Sequence, residues 1–250
     1  MGIIMTSQPI RTTLAWSVHL FTAFSAFFGL LSLNALYHNM YISALWYMGA
    51  AFVIDNIDGS LARLANVKRY AAEVDGALLD NVIDFFTYAM LPATFLFTTD
   101  LVAEPYRIFA AALICFASCY QFTQHDAKTD DHFFKGFPSY WNILIFYAFC
   151  WHLPQILVLW LIICCFVGSF IPIKYIYPSR MQYLSRSKIY VSLMFIATVI
   201  WFGCAVATLA LYPQHNLFVG FYTLAYILLY FFLSLYRTFC PLNTISNTTK

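Results

Sequence analysis

Between residues 13 and 236 the chain passes through eight apolar runs, at about 13–36, 42–62, 77–98, 105–123, 138–152, 153–173, 188–212 and 216–236, joined by short polar connections. Runs near 20 residues match a bilayer's hydrocarbon core, roughly 30 Å thick, when wound as helices. Lipid offers the backbone no hydrogen bonds, and a helix satisfies its own amides internally. The expectation is an all-α, polytopic integral membrane helix bundle of about eight transmembrane helices. Composition agrees: 62% of the 250 residues are hydrophobic and 10% charged, a balance foreign to a soluble domain of this length. The connections at about 124–137 and 174–187 are too short to fold alone, so residues 1–250 read as a single membrane domain.

Lysine and arginine placement orients the bundle, because short cytoplasmic loops are enriched in both. With the N-terminus inside, Arg11, Arg63, Lys68, Arg69, Lys128, Lys135, Lys174, Arg180, Arg186, Lys188, Arg237 and Lys250 fall on the cytoplasmic side and only Arg107 outside, twelve against one of the 13 basic residues. Both termini are then cytoplasmic. Dropping the short fifth run would strand Lys174 to Lys188 outside, so the charge bias retains it. Residues 1–12 lack a clear small-x-small cleavage site, which favours a retained first helix over a signal peptide. The net charge of +2 points to no particular partner, and no nucleic-acid partner is expected.

Against this apolar background, the stretch Asp55 to Asp84 is expensive, because a charge in a membrane segment has to face a cavity, a metal or a partner. Asp55, Asp58, Gly59, Ala62 and Arg63 fall on one helical stripe roughly 12 Å long. Gly76, Asp80 and Asp84 form a second stripe at i, i+4 and i+8. If the stripes face each other, four carboxylates converge. Arg63 is the only basic residue near them within the spans, which argues against a plain ion-pair network. All-oxygen ligation suits Mg²⁺ or Mn²⁺, and two such ions about 3.5–4 Å apart can clamp a phosphate. Gly59 and Ala62 leave room for a nucleotide, and Arg63 can neutralise a diphosphate.

The pattern Asp-x2-Asp-Gly-x2-Ala-Arg, followed by Gly-x3-Asp-x3-Asp, resembles the signature of the CDP-alcohol phosphotransferases, a family of phospholipid-synthesising membrane enzymes. Twelve residues, Leu64 to Asp75, separate the two halves. That spacer is longer than is usual in the family and is similar to the spacer of its choline-using bacterial branch. The segment FKGFPSYWN, Phe134 to Asn142, resembles the same branch, as does the eight-span layout.

The resemblance implies transfer of a phosphatidyl group from CDP-diacylglycerol to choline with release of CMP, in a bacterial inner membrane and with the site facing the cytoplasm. It further implies that Asp55, Asp58 and Asp80 hold two divalent cations, Mn²⁺ or Mg²⁺. Asp84 would complete the second site and act as the base. Gly59, Ala62, Arg63 and Gly76 would line the CDP-diacylglycerol pocket, in a chain that admits a homodimer. Choline's quaternary ammonium donates no hydrogen bond and is held by aromatic faces, for which Tyr88, Tyr140 and Trp141 are candidates. Lys68 and Arg69 are candidates for lipid phosphates or for topology anchors.

The other polar groups read more plainly. Seven cysteines without Cys-x2-Cys spacing are structural filler. His125 and His132 beside Asp126, Asp130 and Asp131 fit a solvated connection better than a metal loop. Competing functions are the same chemistry on serine, glycerol phosphate or inositol phosphate, and a cation-coupled transporter, which has no use for the Gly59-x2-Ala62-Arg63 stripe. An aromatic prenyltransferase would need an Asn-Asp-x2-Asp-x3-Asp pattern, but Ile54 and Ala62 break it.

Overall fold

The computed structural model describes residues 8–240, which are mostly helical. The helices are α1 (Gln8–Tyr37), α2 (Tyr41–Ala65), α3 (Val67–Tyr70), α4 (Gly76–Asp84), α5 (Leu91–Thr98), α6 (Arg107–Thr123), α7 (Trp141–Cys150), α8 (Gln155–Phe170), α9 (Lys188–Leu211) and α10 (Leu217–Phe239). A π-helical stretch, Phe85–Met90, joins α4 to α5. Every apolar run coincides with helix. By length and composition, α1, α9 and α10 are long and apolar enough to cross a membrane.

The remaining runs fall short for visible reasons. Asp55, Asp58 and Arg63 break the apolar character of the continuous helix α2, and the third run is divided among α4, the π stretch and α5. Helices α6, α7 and α8 have 17, 10 and 16 residues. Ten residues reach about 15 Å, half the hydrocarbon thickness. The chain is a mostly helical membrane protein, and its two ends, Lys250 included, lie outside the described residues.

Among the described residues two compact units emerge: 8–122 with 139–163, and 123–138 with 164–240. In the first, small residues let α1 and α2 approach closely. The Ser25 hydroxyl donates to the Ala51 carbonyl at 3.2 Å and the Ser32 hydroxyl to the Ala44 carbonyl at 3.0 Å. A Cβ at Gly29 would stand 2.5 Å from the Phe86 ring, so that glycine admits the π stretch against α1. Helix α2 stops at Asn66, which is left-handed at φ 49° and ψ 51°.

The twelve-residue spacer folds back on α1. Val67 and Ala71 bury against Ala15 and Val18. The Arg11 guanidinium donates to the Tyr70 hydroxyl at 2.9 Å, an interaction that holds this phenol below its ordinary pKa. The Asp75 carboxylate then accepts from the amides of Ala77 and Leu78 at 3.0 and 3.1 Å, capping the start of α4.

The second unit adds two short strands to the expected all-helical plan. β1 (Phe134–Lys135) pairs antiparallel with β2 (Lys174–Tyr175), placing Phe134 opposite Tyr175. Gly136 follows at φ +77°, where a Cβ would lie 2.4 Å from the Ser169 carbonyl oxygen. Only glycine fits there. The Lys174 ammonium donates to Asp131 at 2.7 Å, and Lys135 pairs with Asp126. Burial works against the Asp131 charge, yet hydrogen bonds from Lys174 and Thr129 hold its carboxyl below the ordinary carboxylate range. Two of the loop acids thus serve as lysine partners. Hydroxyls of α10 anchor β2, with Thr238 accepting from the Lys174 amide at 2.8 Å and Ser234 from the Ile176 amide at 3.3 Å. All seven cysteines are free thiols.

Candidate active site

Two helices bring three carboxylates together. Asp80 and Asp84, at i and i+4, share one face of α4 because four residues turn a helix by only about 40° beyond a full circle. Asp55 reaches them from α2, and one carboxylate oxygen from each of the three lies within 4.8 Å of the others. Asp55 and Asp84 are close enough to hydrogen-bond. Carboxylates this near repel unless a cation or proton stands between them, and a cluster of hard oxygen donors fits a divalent ion.

Asp58 lies outside that trio. Three residues past Asp55 it has rotated about 60° short of a full turn. It is 6% exposed and has the Thr22 hydroxyl of α1 as a hydrogen-bonding neighbour. It nevertheless remains within electrostatic reach of Asp55 and Asp84.

The small residues and the arginine of the motif surround this cluster in different ways. Arg63 folds along its own helix, donating to the Ser60 hydroxyl at 2.8 Å, and a Cβ on exposed Gly59 would be 3.5 Å from the guanidinium. Ala62 packs against Ala15, Val18, Val67 and Ala71 and so helps to seat the spacer. Gly76 faces His19 of α1, whose ring carbon would stand 3.2 Å from a Cβ there. The His19 ring also lies 3.4 Å from the Ala71 carbonyl. Lys68 and Arg69 are exposed, with the Arg69 guanidinium 5.4 Å from the centre of the Tyr70 ring.

The aromatic candidates separate clearly. Tyr88, in the π stretch one turn past Asp84, donates its hydroxyl to Asp55 at 2.6 Å. Tyr140 is half-buried and lies near enough to Tyr88 for their phenols to interact electrostatically. Trp141 is fully buried, and its indole N–H donates to the Ser118 hydroxyl at 3.0 Å. That is a packing position at the start of α7.

The acidic motif by itself does not point to α1. His19, Thr22, Ser25, Gly29 and Ser32 line its buried face. Their spacing of three or four residues inside an apolar run was the available signal, since polar groups in a membrane helix turn towards protein. The capping role of Asp75 likewise lies outside the acidic motif.

No family model matches the chain. It is 42% identical over 229 residues to a phosphatidylcholine synthase of Legionella pneumophila, covering 91% of this chain and 90% of that protein. It is 43% identical over 214 residues to the phosphatidylcholine synthase of Legionella bozemanae, covering 85% and 99%. A phosphatidylcholine synthase of Borreliella burgdorferi is 37% identical over 187 residues, covering 75% and 80%.

Proposed function

This chain belongs to the phosphatidylcholine synthase family, a branch of the CDP-alcohol phosphotransferases, and we propose that it transfers the phosphatidyl group of CDP-diacylglycerol to choline, releasing CMP. The observation that carries the reading is the convergence of Asp55, Asp80 and Asp84 from two helices. Mn²⁺ or Mg²⁺ bound there would supply positive charge to neutralise the diphosphate and the departing CMP. Asp55 and Asp80 would hold the ions, Asp58 would support them from the α1 side, and Asp84 would complete the second site.

Asp84 also takes the proton from the choline hydroxyl. The choline oxygen then bonds to the phosphorus that carries diacylglycerol, and the bond from that phosphorus to the CMP oxygen breaks. An alcohol is a poor nucleophile until deprotonated, and a placed carboxylate contributes about 10²–10⁴-fold. Gly59, Arg63 and Gly76 line the nucleotide's approach, with Ala62 holding the spacer beside it. Choline's ammonium meets the faces of Tyr140 and Tyr88, while Trp141 fixes the helix start next to Tyr140.

All 250 residues serve as one membrane domain of eight crossings in a bacterial inner membrane. Both termini and the site face the cytoplasm, where CMP is released. The test is purified protein with CDP-diacylglycerol and a panel of radiolabelled alcohols, with and without EDTA. Choline should be the preferred acceptor, and chelation should stop CMP release until Mn²⁺ or Mg²⁺ is restored. Serine, glycerol 3-phosphate or inositol phosphate outcompeting choline would overturn the acceptor but keep the chemistry. Transport without CMP release would overturn both.

A further inference from the structure

Tyr88 has a role that its proximity to the acids alone does not describe. Its hydroxyl donates to Asp55 at 2.6 Å, short for a neutral donor and typical of a bond to a charged acceptor. The side chain is 5% exposed, and its ring packs against Phe52 at 6.1 Å between centroids. Phe52 and Asp55 are three residues apart on α2, so ring and hydroxyl grip the same turn of that helix.

The backbone explains how Tyr88 arrives there. Asp84 ends α4, and Phe85–Met90 continues as a π-helical stretch. Widening of this kind is rare and recurs at functional sites. Here Gly29 admits the Phe86 ring against α1 while Tyr88 turns to α2. Asp84 and Tyr88 consequently both address Asp55 from one continuous helical rod.

We propose that Tyr88 is a positioning residue for the metal site: its hydroxyl fixes the orientation of the Asp55 carboxylate, leaving the other oxygen to meet the ion. The proposal rests on the reading of Asp55 as a metal ligand. A carboxylate ligand is normally held by a hydrogen bond from its surroundings, and loss of such a partner typically costs about 10–100-fold in metal affinity.

Three variants and one direct measurement test it. Mn²⁺ binding to the purified protein is followed by the electron paramagnetic resonance signal of free Mn²⁺, and melting of the metal-free protein checks the fold. Tyr88→Phe keeps the ring and removes the hydroxyl; its Mn²⁺ Kd should rise about 10–100-fold. Phe52→Leu loosens the ring but leaves the hydroxyl, and its Mn²⁺ affinity should change little. If Tyr88→Phe binds Mn²⁺ as the parent does while Asp55→Asn loses it, the positioning role is refuted and the metal site stands. If Phe52→Leu weakens Mn²⁺ as much as Tyr88→Phe, packing holds the site and the hydroxyl assignment falls. If Asp55→Asn leaves Mn²⁺ binding intact, the metal reading itself fails and the proposal with it.

Discussion

Trp141→Ala separates an aromatic cage from an aromatic prop. Trp141 is fully buried, and its indole N–H donates a 3.0 Å hydrogen bond to Ser118, itself fully buried. Truncating a buried tryptophan to alanine costs about 3–5 kcal/mol. The lower end applies here, because a membrane protein's reference state leaves the side chain in lipid rather than water, so lost packing dominates. A loss of about 3 kcal/mol shifts the unfolding equilibrium by roughly a hundredfold. Trp141→Phe should cost less, about 0.6 kcal/mol and at most about 1.7 for the lost hydrogen bond, plus a small packing defect. The assay is thermal unfolding in detergent alongside KM for choline and for CDP-diacylglycerol. We expect Trp141→Ala to lower yield and melting temperature and to affect both substrates alike. A variant that melted like the parent but had a choline KM raised tenfold, with CDP-diacylglycerol unaffected, would refute the packing argument and return Trp141 to the cage.

Asp84→Asn should lower turnover by about a hundredfold or more while CDP-diacylglycerol binding persists, measured by CMP release and by binding of the labelled lipid; residual activity above about a tenth would remove Asp84 as the base. In a cysteine-free background, single cysteines at Lys128 and Arg180 should be shielded from an impermeant thiol reagent in intact cells, and one at Gln214 should react. Labelling at Lys128 from outside would reverse the orientation. The Asp131 carboxyl is held below its ordinary value, so its contribution is complete above the unfolded value of about 3.9 and lost as pH falls through the lower folded value. Protease protection of the loop at 124–137 should therefore decline only below about pH 4, and Asp131→Asn should show a smaller decline over that acid range.

What lay in the sequence was what local geometry governs. The i, i+4 spacing of Asp80 and Asp84 decides that they share a helix face, and no neighbour can change that. The runs of apolar residues likewise decide helix, since lipid leaves the backbone no other partner than itself. The family is legible for the same reason: its signature is a pair of short, local stripes.

Tertiary structure decided everything that depends on which element lies across from which. Asp58 looks equivalent to Asp55 along the chain, yet 60° of rotation turns it towards Thr22, and nothing local to α2 says that α1 stands there. Trp141 reads along the chain as an aromatic cage candidate, and only the fold shows that Ser118, 23 residues earlier, accepts its indole N–H. The glycine of FKGFPSYWN reads as a motif residue, but its requirement comes from the Ser169 carbonyl, far along the chain. The π stretch that carries Tyr88 to Asp55 packs where Gly29 leaves room for the Phe86 ring. Periodicity tells which face a side chain occupies; only packing between distant segments tells what that face meets.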